Sequence, residues 1–293
     1  MTVMVTGASG LIGRALVPML VRNDEVRACV RRPDTADALR ALGAKVAVGG
    51  LDDVDALAEI MKRVYSVVHL VGGPNQPDDD TVIAANHGSV MTALAAAREA
   101  KVRRFILVSA AGAAIDASNA YLRAKGLAEE AVAESGLEHA IVRSTHAYGL
   151  GGLWFAATVE GATTSPPFTV GDGTASLAPV FADDLAAVLA ELDDREGPVD
   201  GTWAIEGPDA ASANELVTLL GPDGAAPVPL APSDAAERLA HGLGVPFSRT
   251  AAELFALPSR ADAPDAAAEF GVRRTPLVEG LHATLERAAL TGR

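Results

Sequence analysis

The chain opens with an alternation between short apolar runs and segments whose apolar positions recur every three or four residues. Val3 to Thr6 reads as a first strand, and Leu11, Ile12, Ala15, Leu16, Met19 and Leu20 then share one helical face. Pro18 lies inside that helical run, where it removes one backbone hydrogen bond and is expected to kink the helix. The pattern then repeats as strand Val26 to Val30, helix Ala36 to Leu42, strand Lys45 to Val48 and helix Val54 to Arg63. Val67 to Val71 is a continuous apolar run of the kind buried on both faces of a parallel sheet. Helix Ser89 to Ala100, strand Arg104 to Ser109, helix Tyr121 to Ser135 and strand His139 to Arg143 extend the series. Such alternation predicts an α/β fold, a doubly wound parallel Rossmann sheet with helices on both faces.

Past residue 150 the rhythm changes. Pro and Gly cluster at 165–173, 197–208 and 221–232, and no strand stands out. The expectation is a dinucleotide-binding domain over residues 1–150 and a smaller, irregular C-terminal substrate lobe over 151–293. A helix at Asp183 to Leu192, N-capped by Asp183 or Asp184, is expected to pack back on the Rossmann core.

The first strand-to-helix turn carries the first candidate chemistry. Gly7, Gly10 and Gly13 are spaced G-x-x-G-x-x-G, with Ser9, Leu11 and Ile12 between and beside them. In this setting the first glycine allows the tight turn, the second lets backbone approach a pyrophosphate, and the third lets helix and strand pack closely. The helix N-terminus adds unpaired N–H groups and a partial positive charge. Arg31 and Arg32 follow the second strand directly, where an NAD-specific site would carry Asp or Glu. A guanidinium there can clamp a 2′-phosphate, which makes NADP(H) the expected cofactor ahead of NAD(H). The alternative is a pair of solvated loop arginines.

Composition narrows the classes of function. The 293 residues carry a formal net charge of −14, which disfavours nucleic acid and anionic membrane surfaces as partners. Uncharged stretches such as Ser144 to Val159 are broken by Gly149, Gly151 and Gly152 and are too short to span a bilayer. Thr2 to Thr6 already reads as strand, so no leader pattern is expected. Cys29 is the only cysteine, which excludes an internal disulfide and suits a cytoplasmic protein. The six histidines show no metal-ligand spacing, and neither a G-x-S-x-G elbow nor a phosphate-loop Gly-Lys-Ser/Thr occurs. The expected partner is a small molecule, with the chain a monomer or homodimer.

These residues resemble the short-chain dehydrogenase/reductase superfamily in its atypical branch, which includes NmrA-like sensors, small-molecule reductases and epimerase-like proteins. The resemblance is carried by Val5 to Gly13, the two arginines, Leu51-Asp52-Asp53, the Val67 to Gly73 segment, Asn86, and Tyr121-Leu-Arg-Ala-Lys125. Later it continues in Arg143, Gly171-Asp172-Gly173, Phe181 to Asp184, Glu269 to Val272 and Pro276-Leu277. It implies cofactor contacts from the glycine turn, Leu51, Val71 and Gly72. It also implies Tyr121 as general acid and Lys125 as the holder of the nicotinamide ribose. Four residues apart, the two share one helical face, and a nearby ammonium would favour the phenolate.

The chain departs from the superfamily at two places. Ala110 falls where a catalytic hydroxyl is usual, with Ser109 as its neighbour, and Gly50 stands where an acidic residue follows the third strand. Thr145 or His146 could supply a replacement donor, although His146 reads equally as a satisfied loop histidine. Trp154-Phe155 reads as either a core anchor or part of a substrate lid. The implied activity is an NADP(H)-dependent oxidoreductase acting on a carbonyl or enone of a small, largely neutral substrate. Two alternatives remain: a redox-silent dinucleotide sensor, favoured by Ala110, and a nucleotide-sugar epimerase. The latter is disfavoured because Ser144 to Asp194 contains no Lys or Arg for a second pyrophosphate.

Overall fold

The computed structural model of the chain describes residues 1–49, 51–222 and 226–291. The first half alternates as the periodicity requires: β1 (Thr2–Thr6), α1 (Leu11–Leu20), β2 (Glu25–Val30), α2 (Ala36–Ala41), β3 (Lys45–Val48), α3 (Val54–Met61) and β4 (Ser66–His69). It continues with α4 (Asp79–Ile83), α5 (Ser89–Glu99), β5 (Arg104–Ala110), α6 (Ala120–Ala133) and β6 (Glu138–Ser144). The second half holds β7 (Ala147–Tyr148), α7 (Leu153–Thr163), β8 (Phe168–Val170), β9 (Ser176–Leu177), β10 (Val180–Phe181), α8 (Ala182–Asp194) and β11 (Asp200–Ile205). It ends with β12 (Ala211–Ser212), α9 (Ala213–Leu220), β13 (Val228–Leu230), α10 (Pro232–Leu243), α11 (Arg249–Phe255), α12 (Ala266–Glu269) and α13 (Leu277–Thr291).

Among the described residues the main sheet has seven strands in the order β11-β6-β5-β4-β1-β2-β3, all parallel. The order reverses between β1 and β4, which creates the crevice where a doubly wound sheet binds ligands. One apolar layer sets α1 and α8 against the sheet through Leu16, Val17, Leu185 and Leu189, and another sets α3 and α5 against the opposite face through Leu57, Met61, Val90 and Leu94. A third cluster, with Tyr148, Trp154, Phe168, Phe247 and Phe255, gathers the elements after β6 and reaches back to Ala110 and Leu122.

Helix α1 is continuous through Pro18, which lies in its last turn. Two local expectations are corrected. Helix α8 packs on α1, and its N-cap is Phe181 and neither Asp183 nor Asp184. Both aspartates fall in the first turn instead. There Asp183 pairs with Arg287, and Asp184 accepts from the backbone N–H and hydroxyl of Thr275. Finally, β4 ends at His69, and Leu70 and Val71 leave the sheet towards the glycine pair that follows. Beyond residue 150, the Pro/Gly-rich segment at 197–208 contains β11, the edge strand that pairs with β6. Gly50 lies outside the described residues. No described helix is long and apolar enough to cross a membrane.

Near the end of α8, Asp193 is almost fully buried and accepts a hydrogen bond from Ser66. Burial pushes its carboxyl up to about 6, with the Ser66 bond opposing. A carboxyl raised in the folded state contributes stability at low pH that is lost as pH rises from its ordinary value near 4 through about 6. Asp193→Asn keeps an acceptor for Ser66 and removes the charge. Urea denaturation should therefore show it more stable than wild type by about 1–3 kcal/mol at pH 7 and little changed at pH 4. Equal stabilities at both pH values would overturn this account.

Candidate functional site

The C-terminal ends of β1, β4, β5 and β6 open onto one cavity of about 440 Å³, a volume within the range of small-molecule sites. One wall is the turn after β1, with Gly7, Gly10, Leu11, Ile12 and Gly13. Leu70 and the loop from Gly72 to Gln76 form a second wall, and Val108 to Ala111 form the floor. Tyr121, Ser144 to Ala147 and Gly151 to Trp154 close the far side, together with Leu254, Phe255, Pro258 and Ser259 from α11 and the segment after it. Among the described residues, no charged side chain lines the cavity.

The glycine turn is built for backbone approach. Gly7 has φ +71°, and a Cβ there would lie 2.8 Å from the Leu70 carbonyl carbon. A Cβ on Gly13 would meet the Ala8 Cα at 2.5 Å, so only glycine lets α1 sit this close to β1. Gly10 caps α1 without a side-chain hydrogen bond, and the first turn holds no acidic residue. The first-turn N–H groups are thus left for an anion, and this donor set fits a pyrophosphate. Arg14 braces the turn by donating to Ser9 O at 2.8 Å and to Leu150 O at 2.8 Å. Across the cavity, buried Asn86 accepts from Gly73 N at 2.9 Å and donates to Gly73 O at 3.0 Å and Val82 O at 2.8 Å, which fixes the Gly72–Gly73 loop.

The polar end lies where β5, β6 and α6 meet. Asn119 caps α6 by accepting from Tyr121 N at 3.1 Å, and it ties that helix to α11 by donating to Thr250 O at 3.1 Å. Tyr121 is thereby placed on the cavity wall. One turn on, Lys125 is buried with its ammonium 5.7 Å from the Tyr121 ring centroid, and it donates to Val108 O at 2.9 Å. Burial pulls Lys125 down to about 8, with Glu129 opposing. The same burial pushes the Tyr121 phenol up to about 12. In the chain by itself, then, the phenol is held protonated and the phenolate is not favoured.

At the strand ends, Ala110 lies on the cavity wall and offers only a methyl group. Ser109, also on the wall, is buried, and its hydroxyl makes no hydrogen bond. Thr145 spends its proton on Ala178 O at 2.6 Å. His146 is not a satisfied loop histidine, because its Nε2 is buried without a partner. Its ring stacks on Trp154 at 5.5 Å and meets Phe255 edge-on at 5.4 Å, and burial pulls it down to about 4, so it is neutral. Trp154 is both core anchor and cavity wall, whereas Phe155 packs against the same cluster and does not line the cavity.

The structure brings together Gly7, Gly10, Leu11, Ile12, Gly13, Gly72, Ala110, Tyr121, Thr145, His146 and Trp154 on one cavity. Ser9, Val71 and Lys125 do not line it, and Leu51 packs against the α3–α5 layer. At the end of β2, Arg32 is paired with Asp34, its Nε at 3.0 Å, while Arg31 is exposed and has no partner among the described residues. Sequence reasoning missed Asn75, Ser109, Phe255 and Ser259 on the wall. Ser109 alone had a legible signal, since it sits at the C-terminal end of a parallel strand.

Comparison with known proteins places this architecture. A family model described as NAD(P)H-binding matches residues 7–192, well over half of the chain. A mitochondrial NADH dehydrogenase alpha-subcomplex subunit of Arabidopsis thaliana is 29% identical over 74% of this chain, which spans only 56% of that relative's length. A (4-alkanoyl-5-oxo-2,5-dihydrofuran-3-yl)methyl phosphate reductase of Streptomyces griseus is 29% identical over 74% of this chain and 72% of its own. An NAD(P)H azoreductase of Xenophilus azovorans is 28% identical over 87% and 86%. Among solved structures, the Citrobacter triphenylmethane reductase with NADP(H) superposes with TM-score 0.76 at 19% identity, over 97% of this chain and all of that one. A dTDP-glucose 4,6-dehydratase of Streptomyces venezuelae with NAD gives 0.77 at 20%, over 99% and 97%. At these identities the structures establish the fold. With its glycine turn, open helix N-terminus and most of the switch-point cavity inside the matched region, the chain belongs to the NAD(P)H-binding family, with the Rossmann fold of the atypical short-chain dehydrogenase/reductases and epimerases.

Proposed function

We propose that the chain is an NADP(H)-dependent reductase of a carbonyl or enone in a small, neutral substrate. The observation that carries this reading is the uncharged cavity that runs from the glycine turn to Tyr121, Ser109 and His146. A phosphorylated substrate would find no cation on that wall. The arginines that an epimerase could use for a second pyrophosphate are engaged elsewhere: Arg238 donates to Pro166 O, Arg249 to Glu253 and Arg260 to Glu206.

When bound, the cofactor supplies a hydride to the substrate carbon. The chain's task is to hold the carbonyl oxygen and protonate it as charge develops. Tyr121 is protonated at neutral pH and stands on the wall, so it is the proton donor in this reading. Ser109 Oγ and neutral His146 are two further groups without hydrogen-bond partners at the same end. Lys125 uses one of its three donors on Val108 O, which leaves two for the hydroxyls of a ribose. Tyr121→Phe should leave NADPH affinity nearly unchanged by calorimetry and cut turnover by roughly two orders of magnitude. Full activity in that variant would identify another donor. NADPH and NADP⁺ binding without turnover of any carbonyl would favour the sensor instead.

The pH dependence of reduction follows from the same pair. Lys125 is charged below about 8 and loses its proton as pH rises through that value, well before the phenol does. The rate of ketone reduction should fall through pH 8, and Lys125→Arg should move that limb above pH 10, because a guanidinium keeps its charge. A limb that does not move would assign it to another group.

Cofactor choice rests on Arg31, since Arg32 is tied to Asp34. Arg31→Ala should weaken NADPH binding about tenfold or more and leave NADH unchanged, while Arg32→Ala should have a smaller effect. Equal affinity for both cofactors in the wild type would overturn the NADP(H) assignment.

A further inference from the structure

A second chamber of about 40 Å³ lies behind the main cavity. Trp154 and Phe255 line both spaces, so the two meet at these rings. The far walls are apolar, with Phe168, Val170, Leu177, Leu216 and Leu239. Two side-chain hydroxyls border the chamber, and both are committed as donors: Thr158 to Trp154 O at 2.9 Å and Thr169 to Asn214 Oδ1 at 3.2 Å. A buried water needs two to four polar partners, so the chamber favours apolar atoms over water. Its lining lacks contacts on one side, and an apolar group that fills it gains both burial and dispersion.

Size decides which group fits. A site needs roughly 10–15 Å³ of this kind of space for each water-sized occupant, so the chamber takes about three methylene-sized groups in a row. An aromatic ring is excluded, since a cavity that holds benzene is on the order of 150 Å³. The chamber also lies next to the chemistry. His146, with its unpartnered Nε2, contacts both rings. A substrate whose oxygen sits at the Tyr121–Ser109–His146 end would meet these rings within a few bonds.

We propose that this chamber is a tail subsite, which accepts a slender, unbranched alkyl substituent passing beside Trp154 and Phe255. The substrate class then narrows to a carbonyl compound with a straight alkyl arm, and this rests on the reductase reading given above. The arm would pass beside Trp154 and Phe255, and the volume beyond them limits its reach.

The test measures binding without turnover. Straight-chain methyl ketones of four to ten carbons are titrated into protein loaded with NADP⁺, which has no hydride to give. Quenching of Trp154 emission is the readout, in a Trp203→Phe background that removes the only other tryptophan. Affinity should rise about fourfold per added methylene and then level off when the chamber is full. Ala213→Leu, on the chamber wall and not on the main cavity, should weaken the long ketones about tenfold and spare the short ones. Val217→Phe is an independent filling of the same space. Trp154→Ala, followed by thermal shift because its fluorophore is gone, should move the plateau to longer ketones. Affinity that is flat with length, or fillings that weaken short and long ketones alike, would overturn the tail subsite and leave the reductase reading standing. NADP⁺ binding with no ketone bound at any length would overturn both.

Discussion

One buried guanidinium fixes the layer on which the site is built. Arg104 opens β5, has no exposed surface, and spends all five of its N–H donors. They go to Glu138, to the carbonyls of Leu192 and Asp193 at the end of α8, and to those of Arg195 and Gly197 leading into β11. Helix-end carbonyls have no intrahelical partner and carry partial negative charge, so the cation both caps and neutralises them. Glu138 also accepts from Val199 N at 2.9 Å, which draws β6 and the start of β11 to the same point. Removing the guanidinium would leave four carbonyls and a buried carboxylate short of donors, a loss on the order of 3–5 kcal/mol. The far end of the same strand carries Val108, Ser109 and Ala110. The floor of the cavity is therefore the free end of a strand whose base is clamped.

Much of this fold is legible in the chain because most of the sheet's strands are buried on both faces. Two-sided burial demands near-continuous apolar runs, and Phe105 to Val108 or Val67-Val68 announce themselves in any reading. Strand β11 does not. It pairs on one side only, its first four residues are exposed or half-buried, and it carries Asp200 and Gly201 in a segment rich in turn residues. The capping error at α8 has a similar origin. Two aspartates before an apolar run are a sound N-terminal signal, but β10 runs straight into the helix and the start shifts back to Phe181. Tertiary context overrode a local rule.

Legibility of the site follows the same division. The glycine turn, Tyr121 and Lys125 are separated by fixed local spacings and are placed by single elements, so pattern is enough to find them. Phe255 and Ser259 arrive from more than a hundred residues beyond Tyr121 and reach the cavity only because Asn119 and Asn75 tie their segment down. Neither hydrogen bond leaves a mark in periodicity. The Arg32–Asp34 pair is equally silent: two arginines in a row look equivalent until one is seen to be engaged.

Ala110 ends β5 without a hydroxyl, and the alternation along the strand decides what can take its place. Side chains alternate along a strand, so Ser109 and Ala110 leave β5 in opposite directions, and Ser109 cannot stand in for a serine at 110 by a small shift. Both still border the cavity because the strand ends there. The polar groups at this end therefore come from different elements: a phenol from α6, a hydroxyl from one face of β5, and an imidazole from just past β6. All three are uncharged, since burial raises the phenol and lowers the imidazole, and the nearest cation, Lys125, is turned towards a backbone carbonyl. A carbonyl oxygen placed among them would meet neutral groups before any charge develops on it. Stabilisation that strengthens only as the oxygen becomes negative is the kind that lowers a barrier rather than merely tightening binding. In the proposed reductase, three separate elements hold these donors in place before the reaction begins.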